Sequence, residues 1–197
     1  MQYYDEVQLV PIINTHNVIT GEVEKWEAHK KSILHRAVTC ILIVGTQVVL
    51  QERKHPAFNR LLDCSFSTHP IKKKDGSFET NEEAIYSGLK REWIINKSST
   101  VSPPHYISSL YYKAKDSESI FFEHEIDEFY IMHLSDYPQA NLNFAYGLKY
   151  LPFSKLSHLS PDEPIYHSLA PWVQAYIQKG SLKEYTFLHK SNERKVN

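Results

Sequence analysis

Histidine and carboxylate positions are the residues here whose types and spacing can do chemistry. His29 and His35 flank a short polar-to-apolar segment, His69 stands immediately before Pro70, and Glu123 and Glu125 bracket His124 in the run FFEHEID. Histidine is the commonest metal ligand, and among the 11 histidines of the chain only clustering singles any of them out. On a strand, positions two apart point to the same face, so Glu123 and Glu125 can reach one point. Their charges repel there unless a cation or a proton sits between them. Aromatic neighbours make unpaired charge expensive, and a metal resolves the conflict. The same alternation also allows both glutamates to lie on the solvent face. Three imidazoles with two carboxylates form a mixed nitrogen/oxygen set that suits Mn, Fe or Zn better than Ca.

Those side chains need elements to carry them. Glu6 to Ile13 reads as a strand and Asn14 to Gly21 as a turn. Val38 to Val44 is a β-branched apolar run, a buried strand, returning through Gly45-Thr46-Gln47 as Val48 to Glu52. Lys54 to Leu62 is a loop, and Asp63 to Ser67 another short strand. Thr80 followed by Glu83 is a capping-box pattern opening a helix over Glu82 to Ile95. Gly88 inside it implies close packing or a ligand above it. Ser98 to Pro104 breaks that helix, and Tyr106 to Ala114 and Ser119 to His133 form an aromatic hairpin. Gly147 to Phe153 is a further strand and Ser154 to Leu159 a short helix. A C-terminal helix opens at Pro161-Asp162-Glu163, with its core at Pro171 to Ile177. Strands, one helix, strands and a last helix make a mixed α/β (α+β) chain, not an alternating parallel series.

Length and composition bound the rest. The 197 residues allow one domain over 1–180, with a polar tail over 181–197. A net charge of -1 argues against a basic body for non-specific nucleic-acid binding, and leaves room for a local basic pocket. Two cysteines, Cys40 and Cys64, cannot build a disulfide framework. No apolar run reaches the ~18 residues of a membrane span. The start MQYYDEVQLV lacks a signal-peptide layout, so a cytoplasmic protein is expected.

Several motifs in order carry a family resemblance: TGEVEKWEAH (Thr20 to His29), LHRAV (Leu34 to Val38), QER (Gln51 to Arg53), STHP (Ser67 to Pro70), NEEA (Asn81 to Ala84), FEHEID (Phe122 to Asp127) and APW (Ala170 to Trp172). Together they resemble type I isopentenyl-diphosphate isomerase, of the Nudix superfamily, over about Glu6 to Ile177. The resemblance implies a mixed β-sheet sandwiched between helices. It implies metal ligation by His29, His35, His69, Glu123 and Glu125 (Mn, Zn or Mg), with Glu92 helping to hold a magnesium on the diphosphate. It makes Glu125 and Tyr112 catalytic, has Lys25 and Arg53 hold the diphosphate, and has Trp172 stabilise a carbocation. The substrate implied is a small isoprenoid diphosphate, interconverted between its isopentenyl and dimethylallyl forms.

The departures bear on activity. The family's catalytic cysteine falls at Ser67, a far weaker acid than a thiol of pKa ~8.5. Cys64, three positions earlier, should face the other side of its strand. A family tryptophan is Leu62, a helix arginine falls at Gly88, and a loop lysine has no counterpart, with Lys54 and Arg60 as stand-ins. The Nudix hydrolase box is reduced too: KREWII keeps only Glu92 of its paired carboxylates, and Ile94 replaces a glycine. Glu79, Glu82 and Glu83 could supply one further ligand, and read better as a solvated helix start. Two alternatives stand beside the isomerase: a diverged Nudix hydrolase of another diphosphate, and a ligand-binding homologue with impaired catalysis.

Overall fold

The architecture comes from a computed structural model that describes residues 3–95, 102–183 and 185. Nine strands form one mixed sheet: β1 (Leu9–Ile13), β2 (Ile19–Glu24), β3 (His35–Val44), β4 (Gln47–Arg53), β5 (Leu62–Cys64), β6 (Phe66–Thr68), β7 (His105–Lys115), β8 (Phe122–Leu134) and β9 (Ala145–Pro152). The central strand β3 pairs in parallel with β8 from His35↔Glu125 to Val44↔Leu134. Along its other edge it meets β1, β6 and β4, all antiparallel. The β7–β8 pair is the expected aromatic hairpin, and β9 lies against β4.

Alternation along β3 divides the core. Val38, Cys40, Leu42 and Val44 pack with Phe66, Ile85, Leu89 and Trp93 under α2 (Asn81–Gly88). Ile41 and Ile43 pack on the other face with Trp172, Val173 and Tyr176 of α5 (Pro171–Lys179). The sheet is thus sandwiched between helices, as the mixed α/β reading expects.

Local chemistry explains where elements begin and stop. Thr80 Oγ1 accepts from the Glu83 amide at 3.1 Å and Glu83 Oε2 from the Thr80 amide at 2.7 Å, the expected capping box. Past Gly88 the helix widens into a π-turn, Leu89–Trp93, and ends at Ile94 with φ 55°. A Cβ on Gly88 would lie 2.4 Å from Phe66 Cε2, so the glycine serves close packing.

Several boundaries differ from expectation: β1 starts later, at Leu9, β3 starts earlier, at His35, and an unexpected helix over Lys25–Lys31 stands between β2 and β3. Strand β2 begins at Ile19, inside the segment read as a turn. The Asp63–Ser67 strand is two short strands meeting at Ser65, whose hydroxyl bonds Val49 O and accepts from the Leu42 amide. The C-terminal helix is α4 (Pro164–His167) followed by α5. Leu62 donates to Ser168 O and Ala170 donates to Leu62 O, so residues 168–170 run beside β5 instead of coiling. Between β9 and α4, the expected short helix is α3 (Phe153–Leu156). Of the helix break at Ser98 to Pro104, residues 98–101 lie outside the described residues, as does the polar tail at 184 and 186–197. Among the described residues, no helix is long and apolar enough to cross a membrane.

Candidate functional site

Three adjacent strands carry a row of site residues. In register, His35 on β3 faces Glu125 on β8, and Glu125 faces Tyr112 on β7. Glu123 shares the face of Glu125 two positions away. Helix α1 (Lys25–Lys31) crosses above them, with Lys25 and His29 one turn apart, and His69 follows β6.

Each of the three imidazoles is held by its Nδ1. His29 bonds Lys25 O at 2.7 Å, His35 bonds Ile33 O at 2.8 Å, and His69 bonds Arg36 O at 3.0 Å. A backbone carbonyl is an acceptor, so Nδ1 carries the hydrogen and Nε2 is left as a ligand atom. The ligand atoms of His29, His35, His69 and Glu125 all lie within 4.8 Å of one another. His29 Nε2 is 3.2 Å from Glu123 Oε2, and His35 Nε2 is 3.2 Å from Glu125 Oε1. Yet neither His35 Nε2 nor Glu123 Oε2 makes an aligned hydrogen bond, although both are buried. Orphaned buried polar atoms are costly, and a divalent cation would satisfy this set.

Electrostatics point the same way. Burial pushes the Glu125 carboxyl up to about 7, with the Glu123 charge second. Burial also raises Glu123 and holds the Tyr112 phenol well above its usual range, so Tyr112 stays a neutral donor to Glu125. His29 and His69 are lowered by burial and so are neutral, the form that ligates metals.

The cage opens into a pocket of about 680 Å³ of empty space, part of it open to solvent. Lys25, Arg53, Ser67, Glu92, Tyr112 and Trp172 all line it, together with His29, His69, Glu123 and Glu125; His35 does not line it and belongs to the group of four ligand atoms, from which Glu123 is missing. His35, Ala37 and Thr39 share one face of β3. His35 belongs to the cage, Thr39 bonds Ser67 at 2.8 Å, and the small Ala37 floors the pocket between them. At about 3.3 Å per residue the two ends are roughly 13 Å apart along the strand.

Sequence reasoning missed several lining residues. Arg91 bonds Glu92 Oε1 at 2.7 Å and lies 4.4 Å from the Tyr3 ring. It stands next to Glu92, and the π-turn turns both toward one pocket, a phase that a 3.6-residue pattern does not anticipate. Tyr3, Tyr4, Trp26 and Phe144 give the pocket an aromatic mouth, which the opening YYDE could have signalled. Gln51 Nε2, Arg53 Nε and Arg91 Nε are buried donors without partners on residues that line this pocket. The suggested stand-ins fall elsewhere: Lys54 donates to Leu142 O, Arg60 pairs with Glu52, and both lie over Tyr146. Cys64 is in the core cluster behind the wall and does not line the pocket.

Lys25 donates to Gln8 Oε1 at 2.6 Å, and burial, then Arg91, brings its ammonium down to about 8. The cation is therefore lost as pH rises through that value. Affinity for inorganic diphosphate should fall between about pH 7 and 9, and Lys25→Met should remove that limb. Titration calorimetry of both proteins checks this; equal pH dependence in the two would contradict it.

No family model matches the chain and no curated protein matches it. Solved structures do. The chain is similar to DR0079 from Deinococcus radiodurans at 15% identity and TM-score 0.61, covering 87% of this chain and 98% of that one. A MutT protein from Methanosarcina mazei matches at 10% identity and TM-score 0.52, over 77% and 95% of the two chains. An Ap4A hydrolase from C. elegans matches at 16% identity and TM-score 0.51, over 79% and 98%. At these identities the likeness is one of fold, and the fold this chain shares with them is the Nudix fold.

Proposed function

We propose that the protein is a divalent-metal enzyme of an isoprenoid diphosphate, interconverting isopentenyl and dimethylallyl diphosphate by proton transfer. The observation that carries this reading is the convergence of a His/Glu cage, a buried carboxyl bonded to a tyrosine and a row of cations on one pocket. His29, His35, His69, Glu123 and Glu125 would hold one metal (Mn, Zn or Mg) and Glu92 a magnesium beside the diphosphate, supplying positive charge that orients the carboxylates and screens the phosphates.

The remaining work falls to the chain. Lys25, Arg53 and Arg91 meet the diphosphate oxygens, the two arginines with Nε donors that are otherwise unpaired. Glu125, bonded to Tyr112 and with its carboxyl raised by burial, gives or takes a proton at one end of the pocket. Trp172 offers its π face to positive charge on the branched carbon. Ser67 Oγ serves as the proton site at the far end. Its hydroxyl is a weak acid, so turnover should be slow.

The second reading, hydrolysis of a nucleoside diphosphate compound, draws on the fold likeness to a MutT protein and an Ap4A hydrolase. Against it stand the helix carboxylates. Glu83 is engaged in the cap and with Lys73, and Glu79 with Ser87 and the Ile71 amide. Only Glu92 of the acidic residues on that helix and its π-turn lines the pocket.

The test is incubation with isopentenyl diphosphate and Mg²⁺ plus Mn²⁺ in heavy water. Dimethylallyl diphosphate carrying deuterium in a methyl group is expected. Release of phosphate or diphosphate without isomerisation would favour the hydrolase and overturn the proposal, as would no reaction.

A further inference from the structure

Asp63 lies behind the pocket wall without lining it, yet it touches three residues that do. It is fully buried. Its Oδ2 accepts from Arg53 Nη1 at 2.7 Å. Its Oδ1 accepts from Trp172 Nε1 at 3.0 Å, Ser67 Oγ at 3.2 Å and the Cys64 amide at 2.7 Å. The Leu62 backbone pairing with Ser168 and Ala170 fixes the start of α5 beside β5, which is why Trp172 reaches this carboxylate.

The arrangement poses an electrostatic problem. The Arg53 guanidinium lies 4.8 Å from the Trp172 ring centroid, so one cation already sits against the aromatic surface assigned to a second. Like charges in a buried site repel strongly, because low polarisability screens them little. Yet the pocket must grip an anion at one end of its ligand and tolerate a cation at the other.

We infer that Asp63 is a positioning residue that sets this charge balance, offsetting Arg53 beside the Trp172 indole so that one wall serves both ends of the ligand. The inference rests on the isoprenoid-diphosphate reading above. The carboxylate also draws the indole N–H hydrogen toward itself, leaving the ring face richer in electrons. By taking the Ser67 hydroxyl hydrogen, it turns the oxygen's lone pairs toward other partners. A carboxylate that merely held the wall together would show none of the sign reversal that follows.

Binding of three probes to the Mg²⁺-loaded protein tests it: inorganic diphosphate, a diphosphate ester with a tertiary ammonium in place of the branched carbon, and the neutral carbon counterpart of that ester. Asp63→Asn keeps the shape and removes the charge. It should strengthen inorganic diphosphate about tenfold, because Arg53 is no longer compensated, and weaken the ammonium ester about tenfold relative to the neutral one. Arg53→Gln leaves Asp63 unopposed; diphosphate binding falls there with the lost contact itself, but the ammonium ester should gain about tenfold relative to the neutral one, so the inference can be read even if Asp63→Asn does not fold. Parallel loss of all three probes in folded Asp63→Asn, or an unchanged ammonium-to-neutral ratio in either folded variant, would overturn it. Failure of isomerisation in heavy water with the ratio still shifting would sink the enzymatic reading and leave the charge balance standing.

Discussion

Replacing His69 with Ala and Glu123 with Gln together is expected to bring bound divalent metal from about one equivalent to below a tenth, and turnover down by about a thousandfold or more. Each residue supplies an atom that the fold has already oriented. His69 is pinned through Nδ1 to Arg36 O, and Glu123 Oε2 has no aligned partner of its own. Removing both leaves His29, His35 and Glu125, two donors and one negative charge short of the full cage, so the site holds its cation more weakly and loses it during gel filtration. The same change removes a neighbouring negative charge from Glu125, the second cause of its raised pKa, so its proton should become easier to lose. Elemental analysis after gel filtration, paired with the heavy-water assay, checks the result. Full metal content or robust isomerisation in the double variant would refute it. Folding should survive, because a charge that was buried becomes a neutral amide and no large apolar volume is lost.

Legibility from sequence followed the physics of each element. The β3 run and the Thr80/Glu83 box are local signals, and local signals read well. The same holds for Glu123 and Glu125, where a two-residue period alone places both side chains on one face. That face turned inward because β8 is a central strand between β3 and β7, a long-range pairing that periodicity does not contain. Arg91 was illegible because a π-turn shifts helix phase. Asp63 was illegible for another reason. Its partners come from β4, β6 and α5, and the start of α5 is decided by backbone bonds from residues 168–170 to Leu62. The mouth residues Tyr3 and Tyr4 are only two aromatics in sequence until Lys25, Trp26 and Phe144 gather around them.

Cysteine at position 67 is expected to raise the isomerisation rate about a hundredfold. General acid or base catalysis is worth about 10²–10⁴-fold when the group's pKa lies near the working pH, and a thiol of pKa ~8.5 meets that condition where an aliphatic hydroxyl does not. The site is built to receive it. Position 67 lines the pocket, and Ala37 leaves open floor between it and the cage that holds Glu125. The present hydroxyl is engaged by Thr39 at 2.8 Å and Asp63 at 3.2 Å, contacts that a sulfur makes more weakly. The thiol proton is then freer to face the substrate. A basic limb near pH 8.5 should appear in the pH–rate profile of Ser67→Cys and be absent from the parent protein. An alkylating agent should abolish the gained activity and leave the parent rate unchanged, since Cys40 and Cys64 are buried and burial pushes both thiols up. A variant that binds metal and diphosphate as the parent does, yet shows no gain, would mean that proton transfer at this end of the pocket does not limit the reaction, and the role assigned to position 67 would fall.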